Sequence, residues 1–368
     1  MLLKELKLTD FRNWKSAEAH FSEGLNVLVG RNAQGKTNLV EGVFFLCTGF
    51  SPLAGREKQV ISFGENKAEL SGIAQTLYGE VALSVTLAEG KRKKVLVNGV
   101  PVKKAGDFLG TVNAVFFNPD ELKLIKDAPT DRRRFVDIAL SQLKRPYFYA
   151  LATYNKILEQ RNRLLKEEDE TLVKETLPVW DLQLAKEGAK VLFERNEFLS
   201  ALSPYAAKAH ATLTGGEELL TVATETPFPV GTEEEIGQAF LTELSARYEK
   251  DRHAGFTTIG PHRDDLMILI NGQDAKTFSS QGQKRTAALS LKLAELFIMR
   301  DKLGEAPIFI LDDVLSELDR TRQARLLTAI SGVQTFLTAT EEDERVFSGI
   351  PHKRFTVSHG QYAEETVE

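Results

Sequence analysis

The octapeptide Gly30-Arg31-Asn32-Ala33-Gln34-Gly35-Lys36-Thr37 constrains this chain more than any other stretch. It satisfies the phosphate-loop pattern G-x-x-x-x-G-K-[ST] at every fixed position. Residues 25–29 (LNVLV) read as a short buried strand, and residues 38–47 carry Leu39, Val43, Phe44 and Leu46 at helical spacing before Gly49. A glycine-rich turn matching by accident would lack that strand and helix. In this context the glycines let backbone N–H groups turn inward at a helix N-terminus, where the dipole favours anions. Gly30 to Thr37, with Asn38 opening the helix, are therefore expected to hold a nucleoside triphosphate. Lys36 is expected to reach the β and γ phosphates, and the Thr37 hydroxyl to sit on Mg²⁺.

A chain of 368 residues with 42% hydrophobic content can bury more than one core. No apolar run approaches the ~18 to 20 residues of a membrane span, and no secretory signal precedes the first strand. The single cysteine, Cys47, excludes an internal disulfide framework and reads as a small buried residue. These features predict a cytoplasmic protein with no membrane partner. The net charge of −5 argues against a uniformly basic nucleic-acid binder, yet residues 91–145 hold thirteen Lys or Arg against six Asp or Glu. The clusters are Lys91-Arg92-Lys93-Lys94, Arg132-Arg133-Arg134 and Lys144-Arg145. Such a segment in an acidic chain is either a polyanion surface or a solvated face.

The hydrophobic periodicity divides the chain in three. Residues 1–140 show β signals at 2–11, 16–21, 68–75, 79–87 and 93–97, then a hairpin turn at Asn98-Gly99 and a strand at 111–117. Residues 141–250 read as a mainly helical insertion, with long helical patterns from Pro146 to about 166 and over 179–202. Residues 251–368 return to α/β alternation: a periodic helix over 284–300, an apolar strand at 307–311, a helix near 319–330 and a strand at 334–338. These last elements need the first strands as sheet neighbours, so both ends of the chain are expected to fold together.

Two further motifs carry chemistry. The strand at 307–311 ends in Asp312-Asp313. A carboxylate at the end of a strand near a phosphate loop holds Mg²⁺, the role expected of Asp312, and Asp313 could orient or activate the attacking water. Two acids at a strand end can also be an ordinary helix cap. Ser280-Gln281-Gly282-Gln283 opens the periodic helix, so its N–H groups form a second anion site to which Ser280 adds a hydroxyl. One γ-phosphate does not need two separate helix N-termini within one small fold. Two facing copies can supply them, each closing the other's nucleotide, which makes association ATP-dependent by mass action.

The phosphate loop, the S-x-G-Q signature, Asp312-Asp313 and Ser316-Glu317-Leu318-Asp319 resemble an ABC-type ATPase head, closer to the SMC-like repair branch than to transporters. More narrowly, the chain resembles the RecF family of bacterial recombination mediators. The matching pieces are Leu8 to Asn13, Gly30 to Asn38, Phe117 to Leu122, Arg132 to Asp137, Gly260-Pro261-His262-Arg263-Asp264-Asp265 and Leu311 to Asp319. The resemblance implies an α/β fold: a P-loop ATPase head (lobe I, a mixed sheet with helices) bearing a mainly helical second lobe. It also implies weak ATPase activity with catalytic Lys36, Asp312 and Asp313, and an ATP-dependent homodimer that binds single-stranded gaps and ds/ss DNA junctions. Action with RecO and RecR to load RecA, in repair, replication restart and SOS induction, is implied as well.

The sequence departs from that pattern in three places. Asp313 stands where ABC heads usually carry glutamate, and Thr338-Ala339-Thr340 stands where they carry a switch histidine. Phe50-Ser51-Pro52-Leu53-Ala54 replaces a basic stretch common in RecF relatives, with Arg56 nearby. For DNA, the candidates are Lys91 to Lys94 and Arg132 to Arg134, although one of the three arginines could pair inward with Asp131 or Asp137. His262-Arg263 either touches phosphate or rigidifies a turn with Asp264 and Asp265. A transporter ATPase subunit and a nuclease-linked SMC-like ATPase are the alternatives. The roughly 240 residues between Lys36 and Ser280 disfavour the first, and the absence of a visible metal-binding nuclease module after the last strand disfavours the second.

Overall fold

In the computed structural model, residues 1–340 and 346–367 are described, and they form two compact units. The first unit comprises residues 1–122, 205–219 and 279–368. Its central six-stranded sheet places the strand before the phosphate loop, Leu25–Val29, in parallel pairing with Thr335–Ala339, which pairs in parallel with Ile308–Leu311. Ile308–Leu311 in turn pairs with Ala114–Phe117. Every residue of these four strands is buried, as a covered parallel sheet requires. The two chain ends do meet. Gln334 receives a hydrogen bond from the Leu3 amide (2.7 Å) and donates to the carbonyls of Leu3 and Ser22 (2.8 Å each).

A second six-stranded sheet is antiparallel, built from Leu2–Phe11, Trp14–His20, Lys67–Thr76, Gly79–Ala88, Lys94–Val97 and Val100–Pro101. The helix Lys36–Thr48 is apolar nearly all round, and eleven of its thirteen residues are buried, so it must be covered on every side. Both sheets cover it, and they share one core with its Leu39, Val43, Phe44 and Phe45. The loop ahead of this helix is therefore mounted on an element buried along nearly its whole length.

The second unit comprises residues 123–204 and 220–278. It holds helices Pro129–Leu143, Arg145–Leu164, Glu233–Ala246 and Tyr248–Ala254, and a three-stranded sheet of Leu220–Glu225, Asp265–Ile270 and Gln273–Asp274. Its core contains charge, much of it in hydrogen-bonded pairs. Arg161 is fully buried against Asp181 (2.6 Å), Asp251 (2.8 Å) and Thr257 (2.8 Å).

The boundaries differ from the expected division at 140 and 250. Helix Pro129–Leu143 packs on helix Arg145–Leu164 and on strand Asp265–Ile270, so residues from 123 onward and 251–278 belong to the helical unit. Residues 205–219 go the other way, because His210 and Glu218 bond to the helix Gln281–Leu303. The helix expected at 179–202 runs from Glu170 to Thr214. It tolerates Pro178 and Pro204, each of which removes one rung of the backbone ladder. A closing hairpin, His352–Ser358 with Gln361–Val367, adds two strands to the central sheet that the sequence pattern did not reveal.

Candidate nucleotide site

A cavity of about 270 Å³ opens over the phosphate loop. Arg31 to Asn38 line one side, and Asp312, Asp313 and Thr338 to Thr340 line the other. Parallel pairing produces this convergence, since the loop and the two acids leave the C-terminal ends of strands separated only by Thr335–Ala339. Ligands in open α/β sheets sit at such carboxyl ends.

The loop has an unusual backbone that its residues explain. Gly35 adopts φ +113°, and a Cβ there would lie 2.5 Å from the Asn13 side chain. A Cβ on Gly30 would lie 2.4 Å from the Val357 carbonyl oxygen. Buried Trp14 donates its indole N–H to the Gly35 carbonyl at 3.1 Å. Asn13 donates to the Gln34 carbonyl (3.1 Å) and accepts from the Asn38 side chain (2.8 Å). The closing hairpin grips the same residue: the His359 amide donates to the Gln34 side chain at 2.8 Å, and the Gly360 amide to its carbonyl at 3.2 Å. Leu8 to Asn13 was legible as a motif, whereas the grip of 358–360 carries no sequence signal.

Lys36 is largely buried and donates to the carbonyls of Gly30 and Arg31, the latter at 3.1 Å. Its ammonium is thus held inside the loop's own curve. Thr37 donates its hydroxyl to Asp312 Oδ1 at 2.9 Å. Asp312 is buried, and burial pushes its carboxyl above the usual range, opposed by hydrogen bonds from Thr338 (2.8 Å) and Thr37. Thr338 also accepts the Asp313 amide at 2.8 Å, so one hydroxyl fixes both acids. Asp313 itself is exposed, adopts φ +51°, and receives the Ser316 hydroxyl at 3.0 Å. A non-glycine residue in that region is uncommon and tends to mark functional sites. The paired oxygens of Thr37 and Asp312 suit a hard cation of the Mg²⁺ type that keeps several waters.

The signature residues fold as a helix start. Ser280 caps Gln281–Leu303 through a capping box: its hydroxyl accepts the Gln283 amide at 3.2 Å, and the Gln283 side chain accepts the Ser280 amide at 2.8 Å. Ser280, Gln281, Gly282 and Gln283 are absent from the cavity lining. A Cβ on Gly282 would meet nothing within 4 Å, which leaves open space in front of this turn.

The basic candidates divide. Lys91, Arg92, Lys94 and Arg134 are exposed. Lys93 is engaged by the Gly49 carbonyl and by Glu57, and Arg132 is buried in a bidentate pair with Asp265 (2.6 and 2.7 Å). Both are held by protein partners, Arg132 in a desolvated pair and Lys93 in a half-exposed one. The inward partner of Arg132 is Asp265, neither Asp131 nor Asp137. Arg133 donates to the Asp264 carbonyl at 2.7 Å. His262 spends both ring nitrogens inside, on Tyr154 (2.6 Å) and the Thr257 carbonyl (3.1 Å), and burial pulls its pKa down to about 4. Arg263 lies over the Phe256 ring and reaches the Thr257 carbonyl. His262-Arg263 therefore rigidifies its turn.

A family model described as the RecF/RecN/SMC N terminal domain matches residues 2–346. The DNA replication and repair protein RecF of Alkaliphilus oremlandii is 40% identical over 343 residues, spanning 92% of this chain and 93% of that one. RecF of Latilactobacillus sakei is 39% identical over 377 residues and covers all of both chains. A solved structure of the recombination mediator protein RecF with ATP, in the RecFOR pathway, has a TM-score of 0.90 at 34% identity and covers 99% of each chain. An SMC head bound to the C-winged helix domain of ScpA has a TM-score of 0.57 at 17% identity, a likeness of fold alone.

Proposed function

Since the chain belongs to the RecF/RecN/SMC N-terminal-domain family, and within it to RecF of DNA replication and repair, we propose that it is an ATP-gated clamp on DNA. Its DNA targets are single-stranded gaps and ds/ss junctions. The observation that carries this reading is the division of labour within one protomer. Phosphate loop and strand-end acids line one cavity, while the Ser280 turn stands outside it, facing open space. A second copy completes the site, with the signature turn of each protomer meeting the triphosphate held by the other. ATP then favours the paired state by mass action.

In this mechanism the loop amides and Lys36 bind the phosphates. Thr37 and Asp312 hold Mg²⁺, which neutralises charge on the β and γ phosphates when bound. Asp313, oriented by Ser316 and by its own tethered amide, positions the attacking water. Its short side chain and the threonines at 338 and 340 are consistent with slow, DNA-stimulated hydrolysis. No helix among the described residues is long and apolar enough to cross a membrane. A RecF relative is a recombination mediator of the RecFOR pathway, which supports RecO and RecR as partners, and RecA loading is the outcome the family resemblance implies.

The test is binding to gapped duplex with and without ATP, comparing wild type with Lys36→Arg at two salt concentrations. The proposal expects ATP-dependent, salt-sensitive affinity that Lys36→Arg abolishes. Affinity indifferent to ATP in the wild type refutes it.

A further inference from the structure

The signature turn rests on a partly buried relay that reaches it from an unrelated part of the chain. Gln283 donates its side-chain amide N–H to Glu218 Oε1 at 2.9 Å. Glu218 Oε2 lies 3.1 Å from Nε2 of His210, which is fully buried, and His210 Nδ1 lies 3.0 Å from the Ser290 hydroxyl. Ser290 donates its own hydroxyl to the Thr286 carbonyl at 2.6 Å and so accepts from His210 Nδ1, while burial pulls the His210 pKa below its ordinary value and Glu218 opposes that pull.

The Glu218 carboxylate matters at the next bond. An amide side chain can sit in its site in two orientations that differ only by exchange of O and N. Glu218 is an acceptor on both oxygens, so it accepts only the orientation with Gln283 Nε2 towards itself. That choice turns Gln283 Oε1 onto the Ser280 amide at 2.8 Å and closes the capping box. The first-turn amides of Gln281 and Gly282 then point outward with no partner among the described residues, alongside the Ser280 hydroxyl.

Glu218 reaches this place by a specific turn. The helix Glu170–Thr214 ends at Gly215 and Gly216, both at positive φ (+78° and +84°). A Cβ at Gly215 would lie 2.6 Å from the Arg325 guanidinium, which itself donates to the Leu213 carbonyl at 3.0 Å. Arg325 belongs to helix Arg320–Ala329, which follows the strand-end acids. Arg285, two residues past Gln283, pairs with Glu317 at 3.0 Å and ties the signature helix to that same segment.

We propose that Glu218, oriented by His210, is a positioning residue for the signature turn: it fixes the Gln283 amide and thereby presents Ser280, Gln281 and Gly282 to a triphosphate. This rests on the reading of Ser280 to Gln283 as the surface that meets the partner's nucleotide.

A charge exchange tests it. Gln283→Glu is a good capping residue in isolation. Opposite Glu218, however, it sets two carboxylates in contact, and such like charges weaken the arrangement by roughly tenfold or more in an equilibrium constant. Glu218→Gln with Gln283→Glu restores donor-to-acceptor order between positions 218 and 283. The readout is the ATP-dependent dimer dissociation constant by sedimentation, with Glu218→Ala as a third variant and nucleotide binding to the isolated protomer as its folding control. The expected result is weakened dimerisation in Gln283→Glu and in Glu218→Ala, protomer nucleotide affinity held in Glu218→Ala, and recovery in the double variant. Wild-type dimerisation by Gln283→Glu, or a double variant no better than the single one, overturns the relay. Ser280→Arg separates the two claims. If it fails to block pairing, the reading of the signature itself falls; if it blocks pairing while Gln283→Glu is silent, only the relay falls.

Discussion

Replacing Thr338 by valine keeps the shape of a side chain that is almost fully buried and deletes its hydroxyl. That hydroxyl donates to Asp312 Oδ1 and accepts the Asp313 amide, both at 2.8 Å. A hydrogen bond to a charged group contributes about 1.5–3 kcal/mol, and stranding a buried donor costs about 1–3 kcal/mol. Allowing for partial relaxation, Thr338→Val should destabilise the protein by about 2–4 kcal/mol in denaturant titrations. Hydrolysis should suffer too. Asp312 loses the larger of the two hydrogen bonds that oppose the effect of burial, so its carboxyl rises further and is less often ionised to hold a cation. A loss of 1.5–3 kcal/mol in the transition state is roughly a ten- to hundredfold fall in kcat. The deficit should deepen as pH falls, because protonation removes the ionised form. Thr338→Ser, which restores the hydroxyl, should recover most of the rate. A Thr338→Val protein that turns over ATP at the wild-type rate and pH profile would refute the assignment.

Gly360→Ala forces a side chain onto φ +70° and within 2.7 Å of the Asn13 carbonyl oxygen, so nucleotide affinity in equilibrium binding should fall by roughly tenfold through the displaced loop. Arg132→Ala should destabilise by about 2–4 kcal/mol in a urea melt by stranding Asp265, yet leave the salt dependence of DNA binding unchanged. Arg134→Ala and Lys91→Ala should behave oppositely, each lowering the salt slope of log affinity by about one with no stability cost. Asp264→Asn tests the buried charges of the second unit by pH. Burial pushes Asp264 up to about 6, so its contribution is fully present below pH 3.8 and is lost as pH rises through 6. His262, pulled down to about 4, works in the opposite sense: stability drains as pH falls from 6.5 towards 4. Asp264→Asn removes the compensating half, so its unfolding free energy should drop more steeply than wild type between pH 6 and 4. Parallel curves would contradict the assignment.

The convergence of the phosphate loop and the strand-end acids on one cavity was legible because each motif is local. Glycines at fixed spacing, a lysine, and a strand ending in two acids each declare themselves within a few residues. The pairing of both chain ends followed as well, since strands 307–311 and 334–338 had no other sheet to complete. What escaped depends on distant partners. Which of three consecutive arginines turns inward is decided by Asp265, 133 residues away. The unit boundaries are set by the packing of helix Pro129–Leu143 on strand Asp265–Ile270 and by the bond from Glu218 to Gln283, and neither leaves a trace in composition. The closing hairpin is an edge element whose last strand is mostly exposed and polar, so it lacks the apolar alternation that marks a strand. Its value lies in backbone amides that grip Gln34, and amides are the same in every residue but proline.

The account stands on two copies meeting across their triphosphates. Sedimentation velocity of the purified protein with saturating ATP and Mg²⁺, against ADP and against Ser280→Arg with ATP, measures that meeting directly. The account predicts twice the protomer mass with ATP alone in the wild type, and protomers under the other two conditions. A wild-type protein that remains a single protomer with ATP and Mg²⁺, with gapped DNA present or absent, contradicts it.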